Sequence, residues 1–326
     1  MSLSDFVFHH DEFMFHYNCS RYEVNSIPVQ ERRNVFVGIL FVSLGALYQL
    51  LYVPCVWAIF QQLKQKSCAT CYIFMLYLGI ADVIGLFCTG WQCGIQSLKG
   101  IVFCQWPLPA FCISNIGVLC WYIGNSTTLV LAINRCLVIY DNDLCDRLFK
   151  GRRGTLWLII PTVVGFVGIW FTPPFLYSPI DSSAIVNPHR HYLPDADIFH
   201  SKLHAIADYV YAISIPVIYF IFFVFFVNKI RKSGIASVRQ NRKMTRELST
   251  FLQVLITSFF VFSTSLGFLY QEHLKAFPVF NFAAYIMYQG SPAVIYLCMN
   301  QAIRNTLRGK TTKIYQSTKV TLNTPT

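Results

Sequence analysis

An acidic side chain stands inside a long apolar run at Asp82, in the string Leu78-Gly79-Ile80-Ala81-Asp82. A carboxylate inside a membrane is costly unless it faces a polar or wet interior, and such residues are functional candidates by default. Polar residues that can join it are Asn125, Ser126 and Ser291. Together they can bind a sodium ion or hold a water network. The alternative is a protonated acid that is satisfied by hydrogen bonds between helices.

Two further strings indicate segments that can change conformation. In Ser291-Pro292-Ala293-Val294-Ile295-Tyr296, the proline removes a backbone donor and kinks a helix, which predicts a hinge next to an inward-facing tyrosine. A packing kink with an interfacial tyrosine explains the same string equally well. The string Asn134-Arg135-Cys136 ends another apolar run. The lone cationic side chain there, Arg135, can extend to the lipid headgroups.

The composition places these residues in a membrane. Of the 326 residues, 55% are hydrophobic and 13% are charged, against roughly a quarter charged in a soluble domain. The net charge of +11 comes from Lys and Arg clusters between apolar runs rather than from a basic groove. That placement excludes a nucleic-acid partner and favours juxtamembrane contacts with lipids.

Seven apolar windows are long enough for a helix of about 20 residues to cross a bilayer. They are Val35–Phe60, Ser67–Leu98 (interrupted by Asp82), Ile101–Asn134, Thr155–Ile180, Tyr209–Asn228, Leu248–Gln271 and Ala276–Ile303. The third window exceeds one span, so we expect its helix to begin near Pro107 or Pro109, since proline suits a first helical turn. The predicted fold is an all-α membrane protein with a bundle of seven transmembrane helices over residues 35–303.

The basic residues predict the orientation. With the N-terminus outside, 19 of the 26 Lys and Arg residues fall in inner segments and 7 in outer segments. This bias predicts an extracellular tail over residues 1–34 and a cytoplasmic tail over residues 304–326. Residues 1–34 lack the pattern of a cleavable signal peptide, so we expect the first span to target the chain to the membrane.

Several strings together resemble a known family, the nematode chemoreceptors called serpentine receptor class T. They are Tyr17-Asn18-Cys19-Ser20, Leu51-Tyr52-Val53-Pro54, Leu78-Gly79-Ile80-Ala81-Asp82, Phe103-Cys104-Gln105-Trp106-Pro107, Asn134-Arg135 and Pro292-Ala293-Val294-Ile295-Tyr296-Leu297. The resemblance implies a rhodopsin-like G-protein-coupled receptor in the plasma membrane of a sensory cilium. Such a receptor is not an enzyme. It binds an odorant or pheromone-like molecule inside the bundle and activates a heterotrimeric G protein.

The resemblance also implies roles for particular residues. The expected activation switch is Asp82, Asn125, Ser291, Pro292 and Tyr296, with no cofactor other than a sodium ion near Asp82. The expected G-protein contacts are Arg135, Arg239, Arg242, Lys243 and Arg246. The chain departs from the broader receptor pattern at Asn134, where an acid usually precedes the arginine, and in the sixth span, which has neither Pro nor Trp.

The expected ligand pocket lies in the outer half of the bundle, because the tail leaves no room for a separate ligand-binding domain. Its candidate walls are Trp121, Tyr122, Phe268, Tyr285, Tyr288 and Gln289, which can equally be lipid-facing or packing residues. A ligand-gated channel or transporter is the alternative function. Asp82 is expected to be the only acid within the spans, whereas a conduction path usually needs a more polar lining.

The receptor family usually links the third helix to the following outer loop by a disulfide, but the outer loop Asp181–Asp208 has no cysteine. Cys19 and Cys104 both lie on the expected oxidising side and can pair instead, with Cys93 and Cys112 as competing partners. Asn18 begins an N-x-S sequon and is a candidate glycosylation site.

The histidines carry a further expectation. All eight fall in expected outer segments, where we interpret them as solvated loop residues. Cys68 and Cys71 form a CxxC string without a second pair or a nearby histidine, so no metal site is expected.

Overall fold

The computed structural model describes residues 2–64, 71–193, 199, 201–233, 256, 259–260, 262–264, 266–267 and 278–309. Five helical segments in these ranges are long and apolar enough to cross a membrane. They are Val35–Leu63, Cys71–Lys99, Pro107–Tyr140, Arg152–Phe171 and Lys202–Asn228. In the predicted sixth span the described residues are 256, 259–260, 262–264 and 266–267, and all of them are helical. The seventh predicted span contains the helix Pro278–Met299.

The N-terminal tail is folded rather than extended. It contains α1 (Leu3–Phe8), α2 (His10–His16) and α3 (Val29–Arg32), with 3₁₀ turns at Cys19–Arg21 and Val24–Ser26. Its aromatic side chains Phe13 and Tyr17 are buried in one cluster with Phe103, Phe111 and Leu176 of the bundle and its loops. The N-terminal tail covers one end of the helix bundle. We refer to that end of the bundle as the tail end.

The first two spans pack closely through glycines. Helix α4 (Val35–Leu63) lies against α5 (Cys71–Leu86), which continues through a π-helical turn (Phe87–Gln92) into α6 (Cys93–Lys99). A Cβ on Gly90 would lie 2.7 Å from the Cα of Gly45, so a larger residue at position 90 would push α4 away. Small residues at such crossings let helices in a membrane approach closely.

The third span confirms the prediction that its helix begins near Pro107 or Pro109, because α7 (Pro107–Tyr140) has Pro107 in its first turn. It packs against α5 and against two later helices, α10 (Ile159–Phe171) and α11 (Lys202–Ser233), and so lies centrally in the bundle. Two short helices, α8 (Asn142–Phe149) and α9 (Arg152–Leu156), connect it to α10 (Ile159–Phe171).

The predicted fourth window, Thr155–Ile180, extends too far, because the helix ends at Phe171 before two consecutive prolines. A proline disfavours helical backbone in the residue before it. The chain then forms a hairpin of β1 (Leu176–Ser178) and β2 (Ser183–Ile185), which pair antiparallel with Tyr177 opposite Ala184. This hairpin is a local addition to the predicted helical fold.

The fifth helix begins earlier than expected, since α11 runs from Lys202 to Ser233. His204 and Asp208 in its first turns interrupt the apolar window, but both are buried, and Asp208 is 4% exposed. The expectation that Asp82 is the only acid within the spans is therefore wrong. The last helices are α12 (Pro278–Met299) and α13 (Gln301–Leu307).

Candidate ligand cavity and switch network

A cavity of about 70 Å³ lies between the helices near the tail end. The π turn with the start of α6, then α7, α11 and α12, form its walls, and residues of the hairpin region close it. The lining residues are Cys88, Thr89, Gln92, Cys93, Ser114, Gly117, Val118, Trp121, Phe175, Ala184, His204, Phe282 and Tyr285. The lining is mostly apolar with a few polar groups, as in ordinary small-molecule sites.

Two of the predicted pocket residues, Trp121 and Tyr285, line this cavity. Tyr122, Tyr288 and Gln289 are buried but lie outside its lining. Tyr122 packs against α10, where a Cβ added to Gly168 would clash with the tyrosine ring. Phe268 lies outside the described residues.

Sequence reasoning missed the cavity residue His204, which is 8% exposed. Its imidazole lies against two aromatic rings, with centroids 4.3 Å from Trp121 and 4.4 Å from Phe175. Its Nε2 lies 3.6 Å from Oδ2 of Asp208, one turn along α11. Its Nδ1 has no hydrogen-bond partner among the described residues. The i, i+4 spacing of a histidine and an acid on one helix face was the available signal.

A chain of hydrogen bonds runs from the cavity wall toward Asp82. The Thr89 hydroxyl donates to Oε1 of Gln289 (2.8 Å), and Nε2 of Gln289 donates to the Tyr285 hydroxyl (3.3 Å). The main-chain oxygen of Gln289 accepts from the Tyr52 hydroxyl (2.9 Å), which also donates to Oδ2 of Asp82 (2.6 Å). The side chains that line the cavity are thus connected to the buried acid.

The expected partners of Asp82 bond elsewhere. Oδ1 of Asn125 accepts from the Tyr288 hydroxyl (3.0 Å), and the Ser291 hydroxyl donates to the main-chain oxygen of Tyr288 (2.9 Å). The Ser126 hydroxyl lies 2.6 Å from that of Tyr211. None of these three hydrogen bonds involves the carboxylate of Asp82, and a sodium ion beside Asp82 stays a prediction.

The remaining switch residues lie toward the opposite end of the bundle. Pro292 is inside α12, and Tyr296, one turn further, is buried within electrostatic range of both Asp82 and Arg135. Arg135 is half-buried and makes no ion pair or hydrogen bond with the described residues. Its neighbour Asn134 donates to Sγ of Cys145 in α8 (3.5 Å). Arg239, Arg242, Lys243 and Arg246 lie outside the described residues.

A disulfide joins the tail to the loop before α7. Cys19 and Cys104 are bonded, with their Cα atoms 5.3 Å apart, which confirms the predicted pair. The competing cysteines, Cys93 and Cys112, are free. Oδ1 of the half-buried Asn18 accepts from the main-chain N–H and the hydroxyl of Ser20, and its glycosylation stays a prediction.

His189 fastens the tail beside this disulfide. Its Nε2 donates to the main-chain oxygen of His16 (3.0 Å), and its Nδ1 accepts from the Tyr22 hydroxyl (2.8 Å). It is 1% exposed, and burial lowers the pKa of its imidazole. The interpretation of the histidines as solvated is therefore wrong for His189 and His204, because both rings are enclosed by aromatic side chains.

Comparison with known proteins agrees with this architecture. The family model described as serpentine type 7TM GPCR chemoreceptor Srt matches residues 1–320. Serpentine receptor class T-55 of Caenorhabditis elegans is 22% identical over 162 residues. That match covers 50% of this chain and 41% of the relative, so it spans less than half of the relative's length.

Proposed function

The chain belongs to the Srt family of serpentine seven-transmembrane chemoreceptors, and from that premise we propose that it is a G-protein-coupled chemosensory receptor. It is a multi-pass membrane protein of a receptor family rather than of an enzyme family. In our proposal it binds a small odorant- or pheromone-like molecule in the cavity and activates a heterotrimeric G protein. Its site of action is the plasma membrane of a chemosensory cilium.

The proposed orientation has the tail end outside the cell. The excess of Lys and Arg in the segments at the opposite end supports it. The Cys19–Cys104 disulfide supports it independently, because disulfides persist on the oxidising side of a membrane. An epitope inserted within residues 234–247 should be detected only after permeabilisation, whereas one ahead of Ser2 should be detected on intact cells. The reverse result would contradict the orientation.

The observation that carries the receptor proposal is the hydrogen-bonded connection between the cavity and Asp82. A ligand that moves Tyr285 or Thr89 changes the position of Gln289, whose main-chain oxygen holds Tyr52. A ligand shifts a two-state protein only through contacts that differ between the two states. These side chains supply contacts that can differ in that way.

The proposed output is at the other end of α12. Pro292 gives a hinge that can absorb a conformational change. In the active state, displacement of Tyr296 uncovers Arg135 for the G protein. The predicted loop residues Arg239, Arg242, Lys243 and Arg246 add a basic surface to the same contact. They also attract anionic lipids, at about 1 kcal/mol per residue near the membrane.

The test is a ligand screen in cells that carry both a G-protein reporter and a patch electrode. We expect a reporter signal without a ligand-dependent current, and a current without the reporter signal would favour a channel. Gly117→Leu places a side chain in the cavity and should abolish the response at equal surface expression. The neighbouring exposed position provides the matched control, Ile116→Phe, which should respond as the wild type does.

A further inference from the structure

We propose that the ligand of this cavity is a compact, neutral molecule whose hydroxyl or N–H group donates a hydrogen bond to Nδ1 of His204. The inference rests on the proposed function for the role of the cavity, but it concerns binding alone. It is carried by the position of the imidazole, which lines the cavity while one of its ring nitrogens has no partner among the described residues.

Nδ1 is buried among aromatic rings, and the lack of a hydrogen bond there is energetically unfavourable. His204 is packed between the rings of Trp121 and Phe175, with the Tyr122 ring edge-on at 5.6 Å. These faces offer Nδ1 no hydrogen bond, and a buried polar atom without a partner lowers stability. Nδ1 itself is enclosed, so a ligand group reaches it when the imidazole turns toward the cavity that the ring lines. That contact removes the cost, and binding gains from it.

The partner of the second ring nitrogen, Nε2, determines whether Nδ1 donates or accepts a hydrogen bond. Nε2 faces Oδ2 of Asp208 at 3.6 Å, and we take this carboxyl oxygen as the acceptor of the ring hydrogen. The ring hydrogen therefore belongs on Nε2, as in other histidines that a carboxylate orients. Nδ1 is then left with a lone pair, and its ligand partner must be a donor.

The rest of the lining limits the ligand further. No aspartate or glutamate is among the described lining residues, so the cavity offers no direct counter-ion for an ammonium group. Trp121, Phe282 and Tyr285 present aromatic surface to an apolar body. A volume of about 70 Å³ limits the ligand to a few non-hydrogen atoms, since a dry cavity of about 150 Å³ holds one benzene molecule.

The experiment uses 2-butanol and 2-butanone, which have nearly the same shape but differ in the hydrogen that the alcohol can donate. Their dissociation constants are measured by ligand-observed NMR on the full-length receptor in nanodiscs of deuterated lipid. We expect the wild type to bind 2-butanol about fivefold more tightly, which is the factor that one net hydrogen bond contributes.

The matched variants are His204→Phe, which retains an aromatic ring without nitrogen atoms, and His9→Phe at an exposed tail position. The preference for the alcohol should disappear in His204→Phe and persist in His9→Phe. Partitioning of the probes into lipid is common to all three proteins and cancels in this comparison. Retention of the preference in His204→Phe would overturn the inference.

A wild-type measurement covers the case in which His204→Phe does not fold. In the receptor labelled with ¹⁵N-histidine, 2-butanol should shift the Nδ1 resonance of His204 and 2-butanone should leave it unchanged. Equal binding of the two probes, tighter binding of 2-butanone, or binding of neither would refute the ligand class. The G-protein screen would still decide the receptor proposal, so the two failures are distinguishable.

Discussion

The hydroxyl of Tyr52 in α4 lies 2.6 Å from Oδ2 of Asp82 in α5, and the two side chains are buried together. The same hydroxyl lies 2.9 Å from the main-chain oxygen of Gln289 in α12. Tyr52 has one hydroxyl hydrogen and two acceptors, so it cannot direct that hydrogen fully at both. A side chain at position 82 that supplies its own hydrogen would satisfy both contacts.

This relationship predicts the effect of Asp82→Asn. The asparagine amide can donate to the Tyr52 hydroxyl, which then donates to Gln289, so we expect normal surface expression with an altered G-protein signal. Tyr52→Phe removes the hydroxyl and leaves Asp82 without this donor, which should cost about 1–3 kcal/mol of stability. Thermal unfolding of the purified receptor and surface labelling measure the two effects. A large loss of surface expression in Asp82→Asn would contradict the interpretation.

The disulfide predicts a non-additive pair of variants. Cys19→Ser and Cys104→Ser each break the same bond, which closes a sequence separation of 85 residues between the tail and the loop before α7. We expect both single variants to lower surface expression equally, and the double variant to match them within about 0.5 kcal/mol of stability. Cys112→Ser, at a free and exposed cysteine, is the control. Additive losses would mean that the two cysteines act independently.

His189 predicts that acid loosens the tail. Burial lowers the pKa of its imidazole below the ordinary value, and the nearby positive charge of Arg21 acts in the same direction. With the tail open, the ring binds a proton more readily, so closure is fully favourable above about pH 6.5 and weakens as the pH falls below it.

The measurement is the melting temperature of the receptor at pH 7.5 and at pH 5.5. The wild type should lose stability at the lower pH, and His189→Gln should lose less, because glutamine can still donate to His16 but does not titrate. The matched control is His9→Gln at an exposed position, which should behave as the wild type does. An equal loss in His189→Gln would remove His189 as the cause.

The helices were predictable from the sequence because a charge-free apolar run must form helix in a membrane. Pro107 marked the start of α7 for the same kind of local reason. The start of α11 was not predictable in this way, because His204 and Asp208 interrupt the apolar pattern and only the surrounding helices make their burial possible. The hairpin at Leu176–Ser178 and Ser183–Ile185 also depends on tertiary contacts.

The site was predictable in part for a similar reason. Asp82 stands out in any sequence of apolar residues, but its partner does not, since Tyr52 is an ordinary aromatic residue of a transmembrane helix. Trp121 and Tyr285 were found by residue type and depth along their helices. Thr89 and Gln92 were missed because the π turn at Phe87–Gln92, which determines where they face, leaves no clear trace in the sequence.

The last prediction concerns Arg135, which is half-buried and has no ionic partner among the described residues. Asn134 replaces the acid that usually restrains this arginine, and its side chain bonds to Cys145 instead. The residue that lies within electrostatic range of Arg135 on α12 is Tyr296, beyond the hinge at Pro292.

We therefore expect Arg135→Ala to abolish G-protein activation while ligand binding changes by less than about threefold, since the cavity lies at the other end of the bundle. Arg135→Lys retains the charge and should signal partially. Radiometric G-protein activation and ligand-observed NMR at equal receptor concentration measure the two properties, and normal signalling by Arg135→Ala would show that another residue makes the contact.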